Sequence, residues 1–358
     1  MRLTKTVGQY YFGKGALAQL EALVDSAPEK GTRRAVFFVD HFFDGHPLMN
    51  RLPVTNHDQV LFVDTTHEPS TAQVDALASL VREAGDHVSA VIGVGGGSTL
   101  DTAKAVSNLL GNGGQAADYQ GWDLLANPGV FKIGVPTLSG TGAEASRTCV
   151  MMNYEKNLKL GMNSDHTVYD RLVLDPELTA TVPRDQYFFT GMDTYIHCIE
   201  SLAGRYRHAV ADSFSHAALA DCRQVFGSDD MQSDDNRERL MTASFLGGSA
   251  IGNSYVGVVH PFSAGLSMVL GLHHCVANCI VMNVMQEFYP RETEEFHGFL
   301  ERQRVTLPTG VCAGLSDADF DRLYDATVVH QIPLKNALGD DFKCRLTKDK
   351  VADVFRRM

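Results

Sequence analysis

No run of apolar residues in this chain approaches the roughly twenty that a membrane-spanning helix requires. The opening residues, Met1-Arg-Leu-Thr-Lys-Thr-Val7, lack the apolar stretch of a secretory leader, so neither spanning nor export is expected. Cysteine is sparse and unpatterned. The seven (149, 198, 222, 275, 279, 312 and 344) are odd in number and contain no C-x-x-C spacing. A disulfide framework is therefore excluded, and reduced thiols in a cytoplasmic protein are expected. Positive charge is in deficit: 31 Lys and Arg face 43 Asp and Glu, for a net charge of −12. That balance argues against nucleic acid and anionic membrane surfaces as partners. It leaves room for a small molecule on a local basic pocket. Internal repeats, low-complexity tracts and the G-x-G-x-x-G fingerprint are also missing, and nothing resembles a flavin or haem site.

What is present is an ordinary globular composition, 44% hydrophobic and 21% charged over 358 residues, long enough for two domains. The first half alternates β-rich runs with helical periods. Strands are expected over 34–40, 59–64, 88–94 and 131–136, and helices over 71–84 and 99–110. Such alternation predicts a Rossmann-like α/β domain with a parallel sheet and crossover helices. A hairpin is expected around Glu155-Lys-Asn157. Near residue 183 the texture changes to helical periods at 185–202, 211–226, 236–252, 276–288, 317–331 and 348–357. The expected division is thus 1–183, α/β and dinucleotide-binding, and 184–358, all-helical and metal-binding. The acidic stretch 227–235 reads as a solvated loop.

Gly95-Gly-Gly-Ser98 follows a strand and opens a helix. Glycines let the backbone approach a ligand, and the free amides of a helix N-terminus suit a pyrophosphate, so Gly96, Gly97 and Ser98 are candidate cofactor contacts. Alone this is a weak signal, since a tight structural turn has the same letters. Asp101 and Lys104 lie in the first turns of that helix, where solvated surface is the plain alternative. Pro136-Thr-Leu-Ser-Gly-Thr-Gly-Ala-Glu144 is a second Gly/Ser/Thr loop after a strand, where ligands bind in doubly wound sheets. Asp40 ends an early strand, where a carboxylate accepts ribose hydroxyls and repels a 2′-phosphate. It therefore favours NAD over NADP.

Gly191-Met-Asp-Thr-Tyr-Ile-His-Cys-Ile-Glu200 places Asp193 and His197 four positions apart on one helical face. That is half of a divalent-metal site, with His260 and His274 as candidates for the rest. Fourteen residues of unbroken helix rise about 21 Å, whereas ligands of one metal lie within about 4 Å of each other. Pro261, Gly265 and Gly271 supply the necessary break. His260 is expected to close one helix and His274 to open the next.

With these residues assembled, the chain resembles the iron-containing (group III) alcohol dehydrogenase family almost end to end. The motifs that carry the resemblance are Gly-Gly-Gly-Ser-x-x-Asp-x-x-Lys (95–104), Pro-Thr-x-x-Gly-Thr-Gly-x-Glu (136–144), Gly-Met-Asp-x-x-x-His (191–197) and the paired histidines. The resemblance implies the dehydroquinate synthase-like fold and oxidation of a primary alcohol to an aldehyde. It implies a divalent metal, Fe2+ or Zn2+, on Asp193, His197, His260 and His274. NAD is implied on residues 95–98, with Asp101 in the same motif and Thr137, Thr141 and Lys159 nearby. A homodimer is expected. The chain departs from the pattern at Ala264, where the family has a histidine assigned to proton relay. It departs again at His273-His274-Cys275 and at Leu138. For a sugar-acid substrate oxidised far from its carboxylate, a local cation must hold that carboxylate, and Arg147 and Arg205 (with Arg207) are the candidates. A relative acting on phosphorylated polyols or cyclising sugar phosphates would want a basic cluster, and none is evident in the second half. A non-catalytic metal- or nucleotide-binding module is the remaining rival, which the retained ligand set opposes.

Overall fold

A computed structural model describes residues 4–28, 34–85 and 87–358. The strands are β1 (Gln9–Phe12), β2 (Ala35–Asp40), β3 (Gln59–Val63), β4 (Ala90–Gly95), β5 (Gly121–Trp122), β6 (Lys132–Pro136), β7 (Thr148–Asn153), β8 (Leu158–Asn163) and β9 (Arg171–Leu174). Among them run helices α1 (Leu20–Asp25), α2 (Thr71–Glu83) and α3 (Gly97–Asn112). The rest is helical: α4 (Arg184–Ala203), α5 (Ala209–Gly227), α6 (Asp234–Ser254), α7 (Val259–Leu270), α8 (His274–Met282), α9 (Pro290–Gln303), α10 (Asp317–Val328), α11 (Gln331–Leu338), α12 (Phe342–Arg345) and α13 (Lys348–Phe355). Contacts divide the chain into Met1–Lys156 with Leu160–Thr181, and Asn157–Lys159 with Val182–Met358.

In the first unit a six-stranded sheet runs in the order β1-β9-β6-β4-β2-β3. The registered pairs in it are all parallel. β4 and β6 are buried throughout, as expected of central strands covered on both faces. Alternate residues feed two cores: Phe37, Val39, Ile92 and Val94 pack with Leu17 and Leu20 on one face. Val36, Phe38 and Val91 pack with Val74, Val106 and Leu109 on the other. Register sets Val39 beside Val94 and Gly95 beside Pro136, so Asp40, Gly96 and Thr137 come together at the carboxyl ends of β2, β4 and β6. β7 and β8 neighbour each other in a three-stranded sheet, with Asn157 at φ 50° in the connecting turn.

The sequence reading passed over β1, β5 and β9, and the helices α1, α7, α9, α11 and α12. β1 is exposed along its length and is the sheet's edge, so no burial alternation marks it. α9 opens on Pro290 and turns Thr293, Phe296, Phe299 and Gln303 inward with Leu300 beside them, an apolar face at helical spacing that lies among charged residues. The helix expected to run through residue 331 ends at Val328, and α11 begins after His330.

α4 is the axis of the second unit. Each residue from Thr190 to Ser201 is buried, so the helix is enclosed on all sides. Met192, Ile196 and Ile199 join Phe226, Leu240, Phe262 and Ile280 in the core. Enclosure puts Asp193, His197 and Glu200 out of water, and a buried polar group needs partners. Those partners form the site.

Candidate functional site

Asp193, fully buried, is the hub. Its Oδ1 stands 3.5 Å from Nε2 of His197 and 3.3 Å from Nε2 of His260, and its Oδ2 stands 3.5 Å from Nε2 of His274. Ligand atoms of Asp193, His260 and His274 all fall within 4.8 Å of one another. The His197 ring stacks on His260 at 4.7 Å and 14°. The structure therefore brings the four expected residues together. It corrects how His260 gets there, while His274 opens its helix as expected. His260 does not close a helix; it sits in the first turn of α7, where Pro261 is tolerated because the opening amides have no intrahelical acceptor. Neither Pro261 nor Gly265 breaks the segment. Gly271 does, in the left-handed conformation at φ 70° as the C-cap of α7, and His274 then opens α8.

Two residues the sequence reading did not single out complete the cluster. Glu200, fully buried, accepts from the Val259 amide at 2.5 Å through Oε1 and pairs with Nδ1 of His260 through Oε2. Asn278 directs Nδ2 at Oδ1 of Asp193 (2.6 Å) and lies 3.2 Å from Nε2 of His274 and 3.4 Å from Nε2 of His260. Spacing could have found both: Glu200 is seven residues past Asp193 on one face of α4, and Asn278 is four past His274 on α8.

The electrostatics ask for a cation. Burial opposes the charge on Asp193, but His197, His274 and the hydrogen bond from His260 outweigh it and hold its carboxyl well below the usual range. Burial also works against a charged His260, yet Glu200 and Asp193 carry it up to about 9. Burial takes His197 down to about 4, so it stays neutral, as a ligand must be. Even with His260 protonated between them, the two buried carboxylates Asp193 and Glu200 leave one negative charge uncompensated, which a bound cation would offset. The donor set, one carboxylate oxygen and three imidazole nitrogens, suits a borderline divalent ion such as iron or zinc.

In the first unit, Gly96 caps α3 in extended conformation, so the capping residue offers no side-chain acceptor to the first amides of the helix. The close approach is real. A Cβ on Gly96 would lie 2.6 Å from Leu138, and one on Gly97 would lie 2.9 Å from Oγ1 of Thr141. Thr137 donates its amide to the Gly95 carbonyl at 3.0 Å, so the two loops are one surface. Asp40 adjoins it, since a Cβ on Gly95 would meet the Asp40 Cβ at 3.0 Å. Oδ1 of Asp40 takes the Phe42 amide (3.0 Å) and the Thr65 hydroxyl (3.2 Å).

The remaining candidates are placed as follows. Asp101 and Lys104 are not solvated surface. Asp101 accepts from the Val150 amide at 2.8 Å, and burial, against the pull of Lys104, raises it to about 6. Lys104 is fully buried and donates to the Thr148 carbonyl at 2.6 Å and to Ser146. Lys159 is buried, with Nζ 3.3 Å from the Ser267 hydroxyl. Arg147 pairs with Asp123 (2.5 Å) and Asp165 (3.0 Å). Arg205 reaches the Leu338 carbonyl at 3.4 Å, and Arg207 is held by Asp212 at 2.9 Å. Ala264 lies in α7, four residues past His260. His330 has a buried Nε2 with no hydrogen-bond partner among the described residues, and burial with the charges of Lys159 and His260 takes it down to about 4. The basic cluster that sequence did not reveal does exist: Arg184, Arg302 and Arg304 line a cavity of about 500 Å³ with Asp229 and Gln303. It is far from free charge, because Arg302 is paired with Asp229 and Arg184 bonds Gln303.

Comparison with known proteins places this geometry. Residues 8–176 match the family described as iron-containing alcohol dehydrogenase, and residues 188–303 match the Fe-containing alcohol dehydrogenase family, C-terminal. 4-Hydroxybutyrate dehydrogenase of Cupriavidus necator is 33% identical, over 79% of this chain and 83% of its own length. Alcohol dehydrogenase 4 of Schizosaccharomyces pombe is 25% identical over 96% and 86%. The crystal structure of sulfoacetaldehyde reductase from Bifidobacterium kashiwanohense in complex with NAD+ shares the fold, with a TM-score of 0.79 at 21% identity, covering 99% and 98%.

Proposed function

The chain belongs to the iron-containing alcohol dehydrogenase family, and on that footing we propose that it interconverts a primary alcohol and its aldehyde with NAD. Members are oxidoreductases acting on alcohols, and the family uses a divalent metal and NAD. The observation that carries the reading is the convergence of His197, His260 and His274 on one buried carboxylate, Asp193. These four residues would hold a divalent ion, iron or zinc, whose charge lowers the pKa of an alcohol hydroxyl. The protein's own part is to keep His197 neutral, to hold Asp193 ionised, and to exclude water around α4. Gly96, Gly97 and Ser98 would take the dinucleotide phosphates, with Thr137 and Thr141 beside them and Asp40 on the ribose. Lys159 and Asp101 are kept as supporting groups of that site.

The finer proposal concerns substrate. Across the whole chain the sequence resembles 3-deoxy-D-manno-octulosonate 8-oxidase, which makes a C8 aldehyde for a later transamination in lipopolysaccharide sugar synthesis. Its substrate is an acid oxidised at the end far from its carboxylate. 4-Hydroxybutyrate has the same layout, a terminal hydroxyl and a remote carboxylate, and sulfoacetaldehyde likewise carries an anion away from its carbonyl. We therefore favour a primary alcohol with a distal anion, octulosonate first among them. Arg147 and Arg205 remain the proposed anchors, although the two carboxylates on Arg147 leave it less to offer a ligand. The second reading is an NAD-dependent dehydrogenase or reductase of another small polyol or phosphorylated polyol. The test is metal analysis of purified protein with turnover on octulosonate, 4-hydroxybutyrate and 1,3-propanediol, following nicotinamide absorbance and oxygen uptake in parallel. Turnover of the two acids over the diol supports the distal anion. Preference for the neutral diol removes it.

A homodimer is proposed as well. β1 is an edge strand presenting Tyr10, Tyr11 and Phe12 at 48, 42 and 41% exposure, an open ladder beside aromatic surface.

A further inference from the structure

The four proposed ligands are not held alike. Nδ1 of His197 is buried without a hydrogen-bond partner among the described residues. Nδ1 of His260 faces a carboxylate that is itself fully buried, Glu200. Glu200 has two jobs at once, because its other oxygen takes the Val259 amide in the first turn of α7. The backbone ahead of it is pinned from the opposite side, where the Tyr289 hydroxyl accepts the Val258 amide at 3.3 Å. Gly257 fits between the two; a Cβ there would stand 2.5 Å from that hydroxyl and 3.1 Å from Oε1 of Glu200. Asp193 and Glu200 sit on one face of α4, seven residues apart. A single helix therefore carries one acid that faces the centre directly and another that acts through His260.

We propose that Glu200 is the positioning residue of this centre: it fixes the ring angle and the tautomer of His260, so that Nε2, on the Asp193 side of the ring, would offer its lone pair to a bound ion. The proposal rests on the metal reading above. A carboxylate at Nδ1 keeps a proton on that nitrogen, which leaves Nε2 free of one and raises its basicity as a ligand. Glu200→Gln tests this without changing shape. The amide oxygen can still accept from Val259, while the amide nitrogen now donates to Nδ1. The proton of His260 is then driven onto Nε2, the atom that should bind metal.

The experiment measures zinc affinity by chelator competition for wild type, Glu200→Gln and Glu200→Asp, with thermal unfolding of the metal-free proteins alongside. Loss of an outer carboxylate of this kind costs about 10- to 100-fold in metal affinity. That loss is expected in Glu200→Gln with a cooperative unfolding transition retained, and Glu200→Asp, which keeps the charge on a shorter arm, should recover part of it. A folded Glu200→Gln with wild-type zinc affinity overturns the proposal. If Glu200→Gln does not fold, the answer comes from 15N-histidine spectra of zinc-loaded wild type, with the His260 signal identified by its absence in His260→Gln. A proton on Nδ1 sustains the role, and a proton on Nε2 ends it. Failure of the metal reading looks different: wild type and His274→Ala would then bind zinc equally.

Discussion

Truncating His274 to alanine separates the proposed metal centre from a merely structural histidine cluster. Nε2 of His274 is 3.5 Å from Asp193, but its side chain is 28% exposed at the start of α8, so it contributes little to the core. The fold should therefore survive the change. Four-ligand structural zinc sites bind with about 10 to 16 kcal/mol, so one ligand's share is roughly 2.5 to 4 kcal/mol. At about 1.4 kcal/mol per factor of ten, that is roughly 60- to 700-fold in affinity. The assay is metal content after dialysis against a competing chelator, with turnover on the same sample and far-UV circular dichroism as the fold control. His273→Ala is the paired control. His273 is the exposed N-cap of α8 and should lose neither metal nor activity. Full metal occupancy and normal turnover in His274→Ala would refute the ligand set, and a selective loss in His273→Ala would shift the fourth ligand by one position.

Other outcomes follow from the same geometry. Wild type should bind NAD more tightly than NADP, and Asp40→Ser should narrow the gap in a fluorescence titration; equal binding of the two by wild type would remove the role given to Asp40. Asp101 has a folded pKa of about 6 against an ordinary 3.8, so the folded state holds its proton longer and stability falls as pH rises between those values. The ceiling on that loss is about 3 kcal/mol. Asp101→Asn should flatten this part of the pH–Tm curve and raise Tm at pH 7 relative to wild type; an unchanged curve contradicts the burial argument. Gly191→Ala gains about 1 kcal/mol of helix propensity. It also sets a methyl 2.6 Å from Phe226 and 2.8 Å from Leu240, which costs about 1 to 3 kcal/mol. A lower Tm is expected, and a higher one would mean that α5 and α6 yield more easily than their packing implies.

Much of the first unit was legible because its signals are local. Buried parallel strands are written as continuous apolar runs, and 35–40, 90–95 and 132–136 say so within six residues each. The motifs at 95–98 and 191–197 were legible for the same reason, since turn chemistry and an i, i+4 pair act within one or two turns. β1 was not legible, because an exposed edge strand has no burial alternation to show. α9 was legible but passed over: Phe296, Phe299 and Leu300 stand at helical spacing behind Pro290, among charged residues that outnumber them. The reading of Pro261 as a breaker went wrong because a proline's effect depends on its distance from the helix start. That start was set by Glu200 and Tyr289, which hold the amides of Val259 and Val258 from elsewhere in the fold.

The sequence by itself determined the class of fold, the family and the identity of the four converging residues, because periodicity, glycine placement and ligand chemistry are properties of short segments. Only the tertiary structure decided which partners those residues meet. It buried Lys104 and most of Asp101, tied Arg147 to Asp123 and Asp165, brought Arg184 to Arg302 and Arg304, and set Glu200 behind His260. The physical reason is that the interaction of charges and hydrogen-bonding groups depends on distance and on exclusion of water. Both are fixed when α4 is enclosed by helices that the chain supplies up to a hundred residues later.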